Sequence, residues 1–223
     1  MATYLVTGSN RGIGLEYCRQ LGQRGDRVIA LCRQPSPELM ALGVTLETGL
    51  ELTDTAGVDA FAQGLQERAI AIDVVIHNAA IVERVSLEQL DLDSLRRQFE
   101  VNAIAPLYLT QALLPCLSQG AKIALMTSRM GSIADNSSGG SYGYRMSKVA
   151  LSMAGKSLAH DLKPRGIAVA ILHPGLVQTR MTQFTPSGIS PEASVTGLLA
   201  RIDQLTLDKT GSFWHANGEQ LPW

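Results

Sequence analysis

The chain has 223 residues, 45% of them hydrophobic, which is enough to bury a full core and is the size of one α/β domain. A formal net charge of -1 offers no basic field to nucleic acid. No apolar run approaches the ~20 residues that span a bilayer, and residues 1–7 lack the basic stretch and cleavage site of a signal peptide. The three scattered cysteines, Cys18, Cys32 and Cys116, argue against a disulfide framework and for a reducing, cytoplasmic setting. The four histidines, His77, His160, His173 and His215, have no metal-ligand spacing, so no metal is expected.

Residues 4–7 form a short apolar, β-branched run that reads as a buried strand, and it enters Thr7-Gly8-Ser9-Asn10-Arg11-Gly12-Ile13-Gly14. Helical spacing follows, with Leu15, Cys18, Leu21 and Gly22 on one face and Gly25 as the stop. Strand, glycine turn and helix in that order make the phosphate-binding half of a dinucleotide fold. Gly8 permits the tight turn, and Gly12 and Gly14 clear space for a pyrophosphate and for the neighbouring strand. The competing reading is an ordinary βα loop that happens to be glycine-rich. Residues 27–32 form the second strand, with Arg33 at its end. The acid that would bind a ribose 2′-hydroxyl is missing from residues 33–37, whereas Arg33 and Arg11 carry planar donors suited to a 2′-phosphate. Two solvated arginines are the alternative.

Residues 44–50 read as the third strand, and Asp54 is placed to cap a helix over 56–68. The fourth strand, 72–76, leads into His77-Asn78-Ala79-Ala80, whose small residues let backbone approach a ligand; His77 reads as a packed strand-end residue. A capped helix over 91–102 continues through 105–117, bent by Pro106. Asn102 lies in its apolar middle and must be hydrogen-bonded. One reading has it back-bond to its own helix and open a kink; the other ties it to the site. The fifth strand, 122–128, brings Ser128 to the rim that already carries Gly8, Arg33, Glu51 and Asn78, and a Gly/Ser-rich loop follows. On the helix over 142–162, Tyr144 and Lys148 stand at i and i+4 on one face. An ammonium beside a phenol is expected to lower the phenol's pKa toward the range of a general acid or base. Lys163-Pro164-Arg165-Gly166 stops that helix, residues 167–172 form the sixth strand, and 181–188 is where a short lid belongs. Ser190-Pro191 opens a last helix and 212–214 is the seventh strand. No repeat or linker divides the chain, so residues 1–223 are expected to form one domain.

The run Thr7-Gly8-x-x-x-Gly12-x-Gly14 resembles the fingerprint of the short-chain dehydrogenase/reductase family, and the resemblance continues along the chain. Glu51-Leu52-Thr53-Asp54 resembles its Asp-Val-Thr-Asp, Asn78-Ala79 part of its Asn-Asn-Ala-Gly, and Pro174-Gly175-Leu176-Val177-Gln178-Thr179 its Pro-Gly-x-Val-x-Thr; Ser128, Tyr144 and Lys148 follow the order and spacing of its catalytic set. The resemblance implies an α/β, Rossmann-type doubly wound sheet of seven mainly parallel strands with helices on both faces. It implies NADP(H) as cofactor. Gly8, Asn10, Arg11, Gly12, Ile13 and Gly14 would cradle it, with Arg11 and Arg33 at a 2′-phosphate and Glu51 and Leu52 at the adenine. Asn78, Ala79, Tyr144, Lys148, Pro174, Gly175, Val177 and Thr179 would lie along the rest. Asn102, Ser128, Tyr144 and Lys148 would be catalytic, with Asn102 holding a water that links Lys148 to solvent. A small-molecule carbonyl or alcohol is the implied substrate, and a homodimer or homotetramer built on the helices at 105–117 and 142–162 the implied assembly. Within the family, Tyr144-Arg145-Met146-Ser147-Lys148, Ser128-Arg129-Met130-Gly131-Ser132 and the short lid resemble the C-factor and sniffer-type carbonyl reductase group. The alternative is an NADP(H)-binding sensor or C-factor-like signalling protein on the same scaffold.

Overall fold

Short runs of β-branched and aliphatic residues alternate with amphipathic segments along the chain, a pattern that builds a parallel sheet covered on both faces. The computed structural model describes residues 1–223. Its elements are β1 (Thr3–Thr7), α1 (Gly12–Gln23), β2 (Arg27–Cys32), α2 (Pro37–Met40), β3 (Thr45–Thr48), α3 (Thr55–Glu67), β4 (Ile72–His77), α4 (Leu92–Phe99), α5 (Ala105–Leu113), β5 (Leu117–Met126), α6 (Tyr142–Leu162), β6 (Ala168–His173), α7 (Pro191–Asp203) and β7 (Ser212–His215). The strands form one sheet in the order β3-β2-β1-β4-β5-β6-β7, and every pairing is parallel. The chain winds outward from β1 to β3 and then restarts at β4 on the other side of β1. That reversal opens a crevice at the carboxyl ends of β1 and β4, the place where ligands bind in such sheets.

Alternation along the strands sends successive side chains to opposite faces. Tyr4, Val6, Val28, Ala30, Val74 and Ile76 pack with Tyr17, Cys18 and Leu21 of α1 and with Val195, Leu198 and Ile202 of α7. Leu5, Ile29, Leu31, Ile72 and Val75 face the other way, against Val58 and Leu65 of α3 and Leu109 and Leu113 of α5. On that same side Ile123, Leu125 and Val169 meet Leu151, Ala159 and Leu162 of α6. Gly155 of α6 packs directly on the sheet: a Cβ there would sit 2.7 Å from Leu125 Cδ1 and 2.8 Å from Ile171 Cγ1.

Several expectations are corrected. Gly22 faces open space, and the buried side of α1 runs through Tyr17 instead. Asp54 occupies the N-cap of α3 without a side-chain capping bond, whereas Asp91 caps α4 by accepting from the amides of Asp93 and Ser94. The single bent helix expected over 91–117 is three pieces: α4, a π-helical turn over Glu100–Ile104, and α5. Pro106 has no N–H to give to the carbonyl of Asn102 four residues earlier, and a π turn is one way to absorb such a loss. Nor does Asn102 back-bond to its helix. It is fully buried, its Oδ1 accepts from Ile81 N at 2.8 Å, and its Nδ2 donates to Ile81 O at 2.9 Å and to Ser147 Oγ at 3.0 Å. β5 starts early, at Leu117, because Leu117 pairs with Ile72 before a register shift brings Lys122 beside Val74; it stops at Met126, so Ser128 lies just past the strand.

His77 packs at the end of β4, its Nε2 2.9 Å from Thr110 Oγ1, and burial pushes its pKa down to about 3. An unfolded chain takes up that proton near pH 6.5, so between the two values it binds more protons than the native state. Stability should therefore fall as pH drops from about 6.5 toward about 3, and His77→Gln should flatten that slope in urea unfolding at pH 7 and pH 4.5. Gly155→Val should cost about 1–3 kcal/mol through overpacking, read as a lower urea midpoint at unchanged m-value.

Candidate active site

A cleft of about 1450 Å³ runs along the carboxyl edge of the sheet, and Gly8, Asn10, Arg11, Gly12, Ile13, Arg33, Glu51, Leu52, Asn78, Ala79, Tyr144, Lys148, Pro174 and Thr179 line it. Gly14, Asn102, Ser128, Gly175 and Val177 do not line it. Gly14 is there for packing: a Cβ would sit 2.1 Å from Gly8 O and 2.6 Å from Asn78 Nδ2. Gly8 adopts φ +65°, and a Cβ on it would sit 2.8 Å from Ala79 Cα. The glycine turn thus lies against the end of β4, across the crevice where the winding reverses. Thr7 and Asn78 fasten it. Thr7 Oγ1 accepts from the amides of Asn78 and Ala79, each at 3.0 Å, and Asn78 Nδ2 donates to Thr7 O at 3.0 Å and Gly8 O at 3.2 Å.

At the other end of the cleft, Tyr144 and Lys148 project from the first turns of α6. Lys148 is buried and its Nζ donates to Met126 O at 2.8 Å, with the ring centroid of Tyr144 5.6 Å away. An ammonium has three donors, so this bond leaves the others for the cleft. Burial pushes Lys148 down to about 7, and burial pushes Tyr144 up to about 12, partly offset by the Ser128 hydroxyl. The expectation that the ammonium would hold the phenol below its ordinary value is corrected. Burial penalises the charged form of each group, and it is the leading cause of both shifts. Ser128 Oγ accepts from Met130 N at 3.1 Å, and its O–H is the group that turns toward Tyr144.

Hydrogen bonds that the sequence gave no reason to single out fix these groups. Thr127 Oγ1 donates to Lys148 O at 3.0 Å and lies 2.9 Å from Ser152 Oγ. Ser147 Oγ donates to Tyr144 O at 2.8 Å while accepting from Asn102. A Ser or Thr at i, i+3 or i+4 to a catalytic helix position is a weak cue, common to many helices.

At the β2–β3 end, Arg33 Nη1 and Glu51 Oε2 form an ion pair at 3.1 Å, both side chains well exposed. Arg11 has no acidic partner. After β6, Val177 bridges to Ile189 and Val177 O accepts from Thr182 Oγ1, which closes residues 177–189 into a compact flap. Arg180, Met181, Gln183 and Phe184 of this flap line the cleft, as do Ile81, Val82 and Arg84 after β4. Met181, Gln183 and Phe184 fall in the 181–188 segment expected as a lid, whereas Ile81, Val82, Arg84 and Arg180 were not anticipated, because loops carry no periodicity to read.

The short chain dehydrogenase family model matches residues 2–189. Among relatives, a 1-hydroxy-2-glutathionyl-2-methyl-3-butene dehydrogenase from Rhodococcus sp. strain AD45 is 42% identical over 226 residues, covering 100% of both chains. The C-signal of Myxococcus xanthus is 44% identical over 155 residues, 68% of this chain and 93% of that one. Of solved structures, the NADPH-bound carbonyl reductase from chicken fatty liver superposes with a TM-score of 0.92 at 31% identity over 100% of this chain and 99% of that one. The carbonyl reductase Sniffer of D. melanogaster does so at 0.91 and 27% identity over 100% of both. The C-factor and sniffer-type resemblance is thereby borne out, and the chain belongs to the short-chain dehydrogenase family of oxidoreductases.

Proposed function

We propose that this protein is an NADP(H)-dependent reductase or dehydrogenase that interconverts a carbonyl and an alcohol, with Tyr144 as general acid and base. The observation that carries the reading is the meeting of a buried phenol, hydrogen-bonded by the Ser128 hydroxyl, and a buried amine at one end of a cleft whose other end is a glycine turn. The neighbours named for carbonyl reduction, one with NADPH bound, and the relative named for an alcohol dehydrogenation support it.

The cleft residues fit the cofactor. Gly8 and Gly12 present bare backbone, Arg11 and Arg33 offer guanidinium forks for a 2′-phosphate, and Leu52 offers an apolar wall for adenine. Bound there, the nicotinamide supplies the hydride. At neutral pH Tyr144, raised to about 12, keeps its proton, which is the form that can protonate a substrate oxygen. Ser128, whose hydroxyl faces Tyr144, would turn its O–H to that same oxygen, and Lys148 offers its remaining donors to the ribose hydroxyls. Asn102 acts through position: it ties Ile81 to Ser147, and its carbonyl, denied an N–H by Pro106, is the acceptor available to a relay water. Self-association would use the outer faces of α5 and α6, where Leu107, Met146 and Met153 are exposed beside Ile104 of the π turn.

A second reading, a nucleotide-binding signalling protein, is favoured by the match to C-signal. The two separate on turnover: NADPH consumption with a panel of aldehydes, ketones and quinones supports the enzyme, and tight NADPH binding without consumption supports the signal.

Tyr144→Phe should retain NADPH binding by fluorescence titration while kcat drops about 10²–10⁴-fold; near-wild-type turnover would refute the role. Arg33→Gln should raise the KM for NADPH about tenfold or more while leaving that for NADH nearly unmoved, from the loss of a charge-assisted hydrogen bond worth about 1.5–3 kcal/mol. Glu51→Gln, which frees Arg33 from its ion pair, should lower the KM for NADPH.

A further inference from the structure

We infer that the cleft takes a substrate carrying a carboxylate beside an apolar body, with Arg84 and Arg180 as its anion-binding residues; this deepens the carbonyl–alcohol reading above and rests on it. The charges around the cleft do not balance locally, although the chain as a whole carries only -1. Both acids that line it are already taken: Glu16 by Arg19 at 2.6 Å and Glu51 by Arg33 at 3.1 Å. Arg84 and Arg180 line it too and have no carboxylate within ion-pair distance. Arg84 is the more telling of the two, because its neighbour Glu83 is committed to Arg97 at 2.8 Å.

Their places in the fold separate them from the nucleotide's phosphate ligands proposed above. Arg11 sits on the glycine turn and Arg33 follows β2. Arg84 follows β4 and Arg180 follows β6, the two strands that flank β5, and Ser128 lies just past the end of β5. The segments that carry the two arginines therefore leave the sheet on either side of β5, and both arginines line the same cleft as Tyr144. Apolar side chains accompany them: Val82 on one segment, Met181 and Phe184 on the other. Phe184 is 65% exposed, and the turn that presents it holds Gln183 at φ +54° and Phe184 at φ +52°, a conformation that side-chain-bearing residues rarely adopt. Outliers of this kind gather at ligand clamps. Two guanidinium groups without acidic partners, with apolar side chains beside them, match a carboxylate on a hydrophobic body, and such unpaired positive charge around a cleft also draws an anion in.

The test is binding, so that it does not depend on turnover. The protein is saturated with NADPH, and benzyl alcohol, 3-carboxybenzyl alcohol and 4-carboxybenzyl alcohol are titrated calorimetrically; an alcohol with reduced cofactor cannot react. At least one acid should bind about tenfold or more tightly than benzyl alcohol, and that gap should close in Arg84→Ala and Arg180→Ala and partly return in the Arg→Lys variants. Equal affinities, or a gap that survives both alanine variants, would overturn the proposal. So would alanine variants that weaken NADPH itself, since that would assign the two arginines to the cofactor phosphates. A gap that behaves as expected in a protein that turns over no carbonyl would leave this inference standing and defeat the reading beneath it.

Discussion

The site depends on one buried contact, the Lys148 amine held against the carbonyl of Met126 at the end of β5. A lysine is rarely placed wholly inside a protein, because its charged form loses its hydration. Here burial is imposed by how closely α6 lies on the sheet and its loops. A Cβ on Gly131 would sit 2.8 Å from the Lys148 backbone, one on Gly143 2.5 Å from Gln98 Nε2, and one on Gly155 2.7 Å from Leu125 Cδ1. Three contacts made possible by missing side chains let the helix settle, and Thr127 and Ser152 then fasten its backbone at Lys148. The strand that ends beside Ser128 and the helix that carries Tyr144 are thus one rigid unit. Precise placement of reacting groups is the part of catalysis that a rigid scaffold can supply.

The electrostatic consequence runs against the simplest picture of a tyrosine–lysine pair. Burial, partly offset at Tyr144 by the Ser128 hydroxyl, raises Tyr144 to about 12 and lowers Lys148 to about 7, so the resting site favours neutral phenol and carries a labile charge on the amine. Such a site is poised to give a proton, which suits reduction of a carbonyl. The i, i+4 spacing suggested a pull of opposite charge, but the shifts of both groups follow the loss of water around them.

How far the site was legible from the chain follows from which constraints are local. The strand–turn–helix at Thr7 to Gly14 was readable because glycine is demanded there by backbone geometry, and the helix carrying Tyr144 and Lys148 because helical spacing states which residues share a face. The start of β5 was not, since Leu117 is recruited by Ile72, forty-odd positions away, across a register shift. The role of Asn102 was ambiguous for the same reason: its partners are Ile81 and Ser147, and neither lies near it in sequence. Arg33 and Glu51 were read separately, yet they meet as an ion pair because β2 and β3 are neighbours. Phase and spacing reveal an element; they do not reveal which side chain a distant loop will bring to it.

The least legible part is also the part free to vary. Residues 177–189 are held by a few of their own hydrogen bonds, among them Phe184 N to Thr179 O at 2.9 Å and Gln178 N to Ile189 O at 2.9 Å, and they contribute nothing to the two core faces of the sheet. Left-handed backbone at Gln183 and Phe184 costs of order 1–3 kcal/mol per residue, and a flap so built lies toward the low-stability end of the molecule. Stability resides in the sheet and in the helix that buries Lys148. The flap's cleft-lining side chains, Arg180, Met181, Gln183 and Phe184, are carried by a segment whose rearrangement leaves that core intact. A change of substrate therefore requires only a new flap on an unchanged scaffold, which is how one family can share the glycine turn and the Tyr–Lys helix and still act on different molecules.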